Sequence, residues 1–276
     1  MKVNSLSISI PSDAKCNKNC PYCISKMTGS SKGNFDNFFR NLNKVEKVAS
    51  HADVSSVIIT GKTEPLLEEN MKSMLKIGYI FRDYPLEIQT NGIMLHDQRI
   101  ITCLRDAYIN TIAISIDSFN QFNSLSYDMS QLSDMGYNIR ATVNLTTDIM
   151  SHELSELFEI CKKSKVDQLS LRVLTVPNYR LQTKESDKAA EYIDNIDVTD
   201  ISKYLLKFSS TLQLYGIFIR KLSFGASVYM CNDISCTVFE DCIQENSDND
   251  NIRSLVYYED GHLSTSWYGS NFGRLF

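Results

Sequence analysis

The sequence predicts an α/β fold built on a parallel sheet, from three observations. Short apolar, β-rich runs recur at 6–10, 54–60, 86–90, 111–116, 139–145 and 168–174. Stretches with helical spacing of apolar residues lie between them, at 35–52, 65–82, 96–107, 119–135 and 150–165. The strand runs are short and mostly apolar, as strands covered by crossover helices must be. A partial barrel and an open doubly wound sheet both satisfy this alternation. In either, ligands bind at the C-terminal ends of the strands, where the loops converge.

Taken in order, strand 6–10 alternates Leu6, Ile8 and Ile10 with Ser7 and Ser9, and a cysteine-rich loop follows it. After strand 54–60, Pro65 stands in the first turn of the next helix, a position where its missing N–H costs nothing. Strand 86–90 runs into Asn91-Gly92, a turn signal. Strand 111–116 is followed by Asp117, a candidate cap for the helix from Phe119. Strands 139–145 and 168–174 carry Arg140, Asn144 and Arg172 inside apolar runs.

Past Pro177 the repeat ends, which sets the expected division at 1–177 and 178–276. The second part starts with a charged stretch, 184–197, and continues into a helix over 198–215 with Asp197 or Thr199 as its cap. Strands are expected at 217–220 and 252–258, a loop at 244–251, and a hairpin turn at Glu259-Asp260-Gly261 leading into 263–267.

With 276 residues, 43% of them hydrophobic and 22% charged, the chain has the composition of an ordinary globular protein. A net charge of −5 gives no overall basic field, so nucleic acid is not the expected partner. No apolar run approaches the roughly 20 residues of a membrane-spanning helix, and residues 1–11 alternate instead of forming a signal-peptide core. A cytoplasmic protein is expected. In a reducing compartment the eight cysteines, at 16, 20, 23, 103, 161, 231, 236 and 242, point to metal binding, catalysis or core packing before disulfides.

The strongest signal is Cys16-Asn17-Lys18-Asn19-Cys20-Pro21-Tyr22-Cys23, three thiols spaced C-x3-C-x2-C directly after the first strand. Iron-sulfur clusters are usually held by four thiolates, so three leave one iron of a cubane open. A zinc site is the alternative, but it wants a fourth Cys or His, and none lies nearby in sequence.

This loop, with an aromatic residue before its third cysteine, resembles the signature of the radical S-adenosylmethionine superfamily. The resemblance implies a partial (β/α)6 barrel over 1–177, with a small C-terminal α+β extension over 178–276 covering it. It further implies a [4Fe-4S] cluster on Cys16, Cys20 and Cys23, its open iron chelating S-adenosylmethionine, and reductive cleavage to a 5'-deoxyadenosyl radical. Tyr22 would sit beside the adenine. Ile59-Thr60-Gly61-Lys62-Thr63-Glu64-Pro65 is similar to the family's glycine-rich motif, which meets the methionine amino group. Lys62 and Thr63 replace the usual paired glycines, so the contact would run through backbone carbonyls or Thr63. By placement, Gly61, Thr63, Glu64, Asn91, Ser115, Asn144 and Arg172 are the implied cofactor contacts. Arg172 has the planar fork a carboxylate needs, and Asn144 can donate and accept toward a ribose.

Cys231, Cys236 and Cys242 have C-x4-C-x5-C spacing, which does not match the C-x2-C steps of auxiliary clusters; Cys242 is the one of the three expected to face the active site as a hydrogen donor. Cys103 and Cys161 read as core. The four histidines form no i, i+4 pair, which excludes a zincin-like site. Tyr257, Tyr258, Trp267 and Tyr268 flank the last hairpin and read as stabilising aromatics.

The expected function is hydrogen abstraction from a small-molecule, nucleotide-like or peptide substrate, with an external electron donor such as flavodoxin or ferredoxin. An activase that places a glycyl radical on a partner protein is the alternative within the family. A non-catalytic zinc or electron-transfer protein is the alternative outside it.

Overall fold

A computed structural model describes residues 2–29, 33–222, 226–239, 251–267 and 273–276. In chain order the elements are β1 (Lys2–Ser9), α1 (Ile24–Thr28), α2 (Phe35–His51), β2 (Ser56–Thr60), α3 (Met71–Ile80), β3 (Leu86–Thr90) and α4 (Gln98–Asp106). There follow β4 (Thr111–Ile116), α5 (Phe119–Asp134), β5 (Asn138–Asn144), α6 (Thr147–Met150), α7 (Leu154–Lys163) and β6 (Gln168–Arg172). The remainder comprises α8 (Lys184–Asp194), α9 (Val198–Tyr215), β7 (Ile217–Lys221), β8 (Ser227–Cys231), β9 (Ile234–Phe239), β10 (Asn251–Tyr257) and β11 (Leu263–Ser264). The fold is α/β with mostly parallel strands, as the alternation predicts. Among the described residues no helix is long and apolar enough to cross a membrane.

Contacts group the chain into two compact units that interleave the segments on either side of Pro177: 1–111 with 177–186 and 243–276, and 112–176 with 187–242. In the first, the strand order is β11-β10-β1-β2-β3. β1 pairs in parallel with β2 on one side and with β10 on the other, and β2 pairs in parallel with β3. The register sets Ser5, Ser7 and Ser9 beside Ser56, Ile58 and Thr60, and Ser5 Oγ lies 2.7 Å from Ser254 Oγ. The alternate residues Leu6 and Ile8 are fully buried. On their side Phe38 of α2 packs on Tyr257, ring centroids 4.7 Å apart, and the Tyr257 hydroxyl donates to the Phe38 carbonyl at 2.6 Å. One face of the sheet is thus apolar and helix-covered, while the other carries the serines.

Local signals set the helix ends. Asn34 caps α2 by accepting from the Asn37 N–H at 3.0 Å. Gly78 lets α3 approach the end of α4 closely: a Cβ there would lie 2.2 Å from the Ala107 carbonyl oxygen. The expected hairpin forms, β10 pairing antiparallel with β11 around Gly261 at φ +87°. Tyr258 stacks on His262 and donates to the Ser266 carbonyl, a stabilising use of the aromatics. Tyr268 lies outside the described residues.

In the second unit the order is β4-β5-β6-β9-β8-β7. β5 and β6 are parallel, as are β6 and β9. Arg140, Thr142 and Asn144 stand beside Gln168, Ser170 and Arg172, a polar face opposite the buried Ala141, Val143, Leu169 and Leu171. Ser118, not Asp117, caps α5, its Oγ accepting from the Gln121 N–H at 3.2 Å. Asp197 caps α9. Two differences from the sequence reading stand out. The charged stretch from 184 is a helix, α8, which buries Ala189, Ala190 and Ile193. β8 and β9 form an additional hairpin, with Asn232 and Asp233 at φ 52° and 62° in its turn.

Candidate active site

The cysteine loop belongs to the first unit and leaves the C-terminal end of β1. It closes into a turn through the Cys23 N–H donating to the Cys20 carbonyl at 3.4 Å. Lys26 Nζ donates to that same carbonyl at 2.7 Å, and Cys23 is the N-cap residue of α1. Cys16 is exposed, while Cys20, Tyr22 and Cys23 are half-buried. None of the three thiols is in a disulfide. Among the described residues no three His, Cys, Asp or Glu side chains converge on a metal-coordinating point, so the thiols share a loop without being gathered.

The donor set suits an iron-sulfur cluster: three soft, accessible sulfurs within eight residues. The other described cysteines differ. Burial pushes the Cys103 thiol to about 11 and, with Cys231 adding to it, the Cys236 thiol to about 12; Cys161 and Cys231 are raised by burial too. These are inert core thiols. Cys242 lies outside the described residues.

Behind the loop, the ends of β2 and β3 are tied together through Glu64, which is 3% exposed. Its Oε1 accepts from the Leu66 N–H at 2.9 Å and the Thr90 hydroxyl at 2.6 Å, and its Oε2 accepts from the Asn91 N–H at 2.8 Å. Burial raises the Glu64 carboxyl, against the lowering by these three bonds. Asn91 then reaches the cysteine loop: its Nδ2 donates to Asn17 Oδ1 at 2.7 Å and lies 3.9 Å from Cys16 Sγ. Glu64, expected as a cofactor contact, ties two strand ends together. Gly61 is tightly set, a Cβ there meeting Ile10 Cγ2 and the Thr63 carbonyl oxygen at 3.2 Å. Thr63 Oγ1 is buried and has no hydrogen-bond partner among the described residues.

In the sequence Lys62 stands out only as a departure from the glycine pattern. Its Nζ donates to Thr28 Oγ1 at 2.7 Å, and its carbonyl accepts from Ser25 Oγ at 2.7 Å. Burial pulls its ammonium below the usual lysine range, while the charges of Glu259 and Cys23 push it back up. Glu259, 3% exposed, shows in the sequence only as a turn residue. Its place beside Lys62 depends on β10 pairing with β1, which no local signal announces.

In the second unit, taken by itself, Ser115 is half-buried near the end of β4, and its carbonyl accepts from Gln121 Nε2 at 2.9 Å. Asn144 and Arg172 are register partners on adjacent strands, so their side chains share a face. Arg172 Nε is buried without a hydrogen-bond partner among the described residues. Arg140 differs: its Nε donates to Gln168 Oε1 at 2.7 Å.

Residues 11–131 match the sequence model described as the Radical SAM superfamily. Among curated proteins, a probable GTP 3',8-cyclase of Methanothermobacter thermautotrophicus is 26% identical over 175 residues, 58% of this chain and 54% of that protein. An uncharacterized protein of Methanocaldococcus jannaschii, MJ0804, is 33% identical over 115 residues, 41% of this chain and 35% of that protein. The chain therefore spans about half of the first relative and about a third of the second. Among solved structures, Streptococcus suis SuiB bound to S-adenosylmethionine aligns with TM-score 0.66 and 13% identity, over 99% of this chain and 63% of that one. SuiB bound to precursor peptide SuiA gives 0.63 and 14%, over 96% and 59%. At such identity the likeness establishes the fold. The cysteine loop lies inside residues 11–131, the segment that matches the Radical SAM superfamily model, and the family likeness of this chain rests on that segment.

Proposed function

We propose that this chain is a radical S-adenosylmethionine enzyme holding one [4Fe-4S] cluster on Cys16, Cys20 and Cys23. The observation that carries this reading is the contrast among thiols: these three are accessible on one loop, whereas Cys103, Cys161, Cys231 and Cys236 are buried. When bound together, such a cluster and S-adenosylmethionine supply one-electron cleavage of the sulfonium and hydrogen abstraction from a substrate. Three thiolates leave one iron for the amino and carboxylate groups of S-adenosylmethionine.

The residues of the chain bind and orient. Thr63 Oγ1, a buried hydroxyl with no partner of its own, is proposed to meet the methionine amino group, with Gly61 giving the backbone room to approach. Glu64 and Asn91 hold the strand ends and the cysteine loop in register, acting as positioning residues. Tyr22 is proposed to lie against the adenine. Within the second unit, Ser115, Asn144 and Arg172 are proposed on the resemblance as S-adenosylmethionine contacts; Arg172 Nε, buried with no hydrogen-bond partner among the described residues, supports that role. Cys242 is proposed as a hydrogen donor to the substrate. The substrate is a small molecule, a nucleotide-like compound or a peptide, and electrons come from an external donor such as flavodoxin or ferredoxin.

Anaerobic reconstitution tests the reading. The chain should take up about four irons and release 5'-deoxyadenosine when reduced with S-adenosylmethionine. A colourless protein holding zinc, or a cluster that never cleaves S-adenosylmethionine, would overturn it.

A further inference from the structure

Lys62 stands where the resembled motif has a glycine, and its surroundings hold it as a fixed charge. Its carbonyl and its Nζ are both bonded to hydroxyls of α1, those of Ser25 and Thr28, each at 2.7 Å. Cys23 is the residue on which α1 begins, so Lys62 fastens the third cysteine's helix to the end of β2. Glu259, whose charge also acts on Lys62, is nearly fully buried, and its backbone carbonyl accepts from the Asn34 N–H at 3.1 Å. With its ammonium bonded to the Thr28 hydroxyl and its carbonyl to the Ser25 hydroxyl, Lys62 is held against α1 at both ends. The charge of Cys23 is among those that act on this ammonium.

We infer that Lys62 is a positioning and electrostatic element for the Cys16, Cys20 and Cys23 loop, whose positive charge makes a thiolate-held cluster there easier to reduce. The inference rests on the cluster reading above. Reducing a cluster adds one negative charge to it. A cation fixed nearby, in a region of lower dielectric than water, stabilises the reduced state more than the oxidised one, and Glu259 opposes it with the reverse sign. A glycine at the same position could supply neither the charge nor the tie through Nζ to α1.

The test is the midpoint potential of the cluster in the reconstituted full chain without S-adenosylmethionine, followed by EPR, with iron content measured on the same samples. Lys62→Met is expected to make reduction harder by about a factor of ten, about 59 mV for one electron. Lys62→Arg keeps the charge and should stay within about a third of that shift. Glu259→Gln removes the opposing charge and should move the potential upward. Fully loaded Lys62→Met and Glu259→Gln proteins with the wild-type potential would overturn the inference. Should Lys62→Met fail to load iron, Glu259→Gln decides alone: a rise supports the proposal, and no change or a fall overturns it. A failure of the cluster reading itself is distinguishable, since the wild-type chain would then take up no iron and both proposals would fall together.

Discussion

Glu64 directs both carboxylate oxygens to three donors within the chain and is 3% exposed, whereas Cys16 is exposed and Cys20 and Cys23 are half-buried on a loop of the same unit. The two regions meet through Asn91, whose N–H serves the carboxylate and whose side chain serves the loop. One is satisfied as the chain folds. The other keeps its sulfurs on the surface, where an external group can reach them. A substitution at the anchor should therefore register in stability, and one at the loop in metal content.

The largest effect is expected at the loop. Replacing Cys16, Cys20 or Cys23 by Ala should abolish cluster assembly and S-adenosylmethionine cleavage together, while thermal unfolding of the metal-free chain shifts by no more than about 1 °C, because accessible thiols contribute little packing. Iron analysis and a melting curve on each variant check both halves. An alanine variant with wild-type iron would remove that cysteine from the ligand set.

Glu64→Gln should act the other way. The new amide sets an N–H group against one of three donors that now find an acceptor, which costs about 2 kcal/mol and lowers the melting temperature by roughly 5 °C. Because burial raises the Glu64 carboxyl above its ordinary 4.5, the folded chain holds that proton more tightly than the unfolded one. The stabilisation from this group is complete below 4.5 and is lost as pH rises through the raised value. The stability difference between wild type and Glu64→Gln should therefore shrink as pH is raised from about 4 to about 7. A difference that grows with pH would show that the hydrogen bonds, not burial, control the carboxyl.

These two regions were not equally legible. The cysteine loop carries its chemistry in residue type and spacing, and β2, β3 and β4 end where their apolar runs give way to Gly61, Asn91 and Asp117. The anchoring role of Glu64 needs Thr90 and Asn91 from the next strand, and residue types alone do not show which donors a carboxylate will meet. Distance in sequence hid more: β10 pairs with β1 across almost the whole chain, and only that pairing brings Glu259 toward Lys62. Two misses had local signals. Asn232-Asp233 is a pair that tolerates positive φ, the mark of a tight hairpin turn, and it does turn β8 into β9. In α8, Ala189, Ala190 and Ile193 form a narrow buried stripe that the surrounding charges masked.

Thr63 lies between the two regions and yields the smallest effect. It precedes the buried anchor, yet its hydroxyl is left without a partner as the loop sulfurs are left without a disulfide. An unsatisfied buried hydroxyl gives no net hydrogen-bond stabilisation, so Thr63→Val, which keeps the shape, should leave the melting temperature unchanged or up to about 2 °C higher. If the hydroxyl is held for the methionine amino group, the same variant should bind S-adenosylmethionine about tenfold more weakly, the equivalent of about 1.4 kcal/mol. Calorimetric titration of the reconstituted protein, paired with a melting curve, separates the outcomes. A stability loss without an affinity loss would make Thr63 part of the Glu64 anchor, and the S-adenosylmethionine contact would have to be sought in the backbone carbonyls of the same turn.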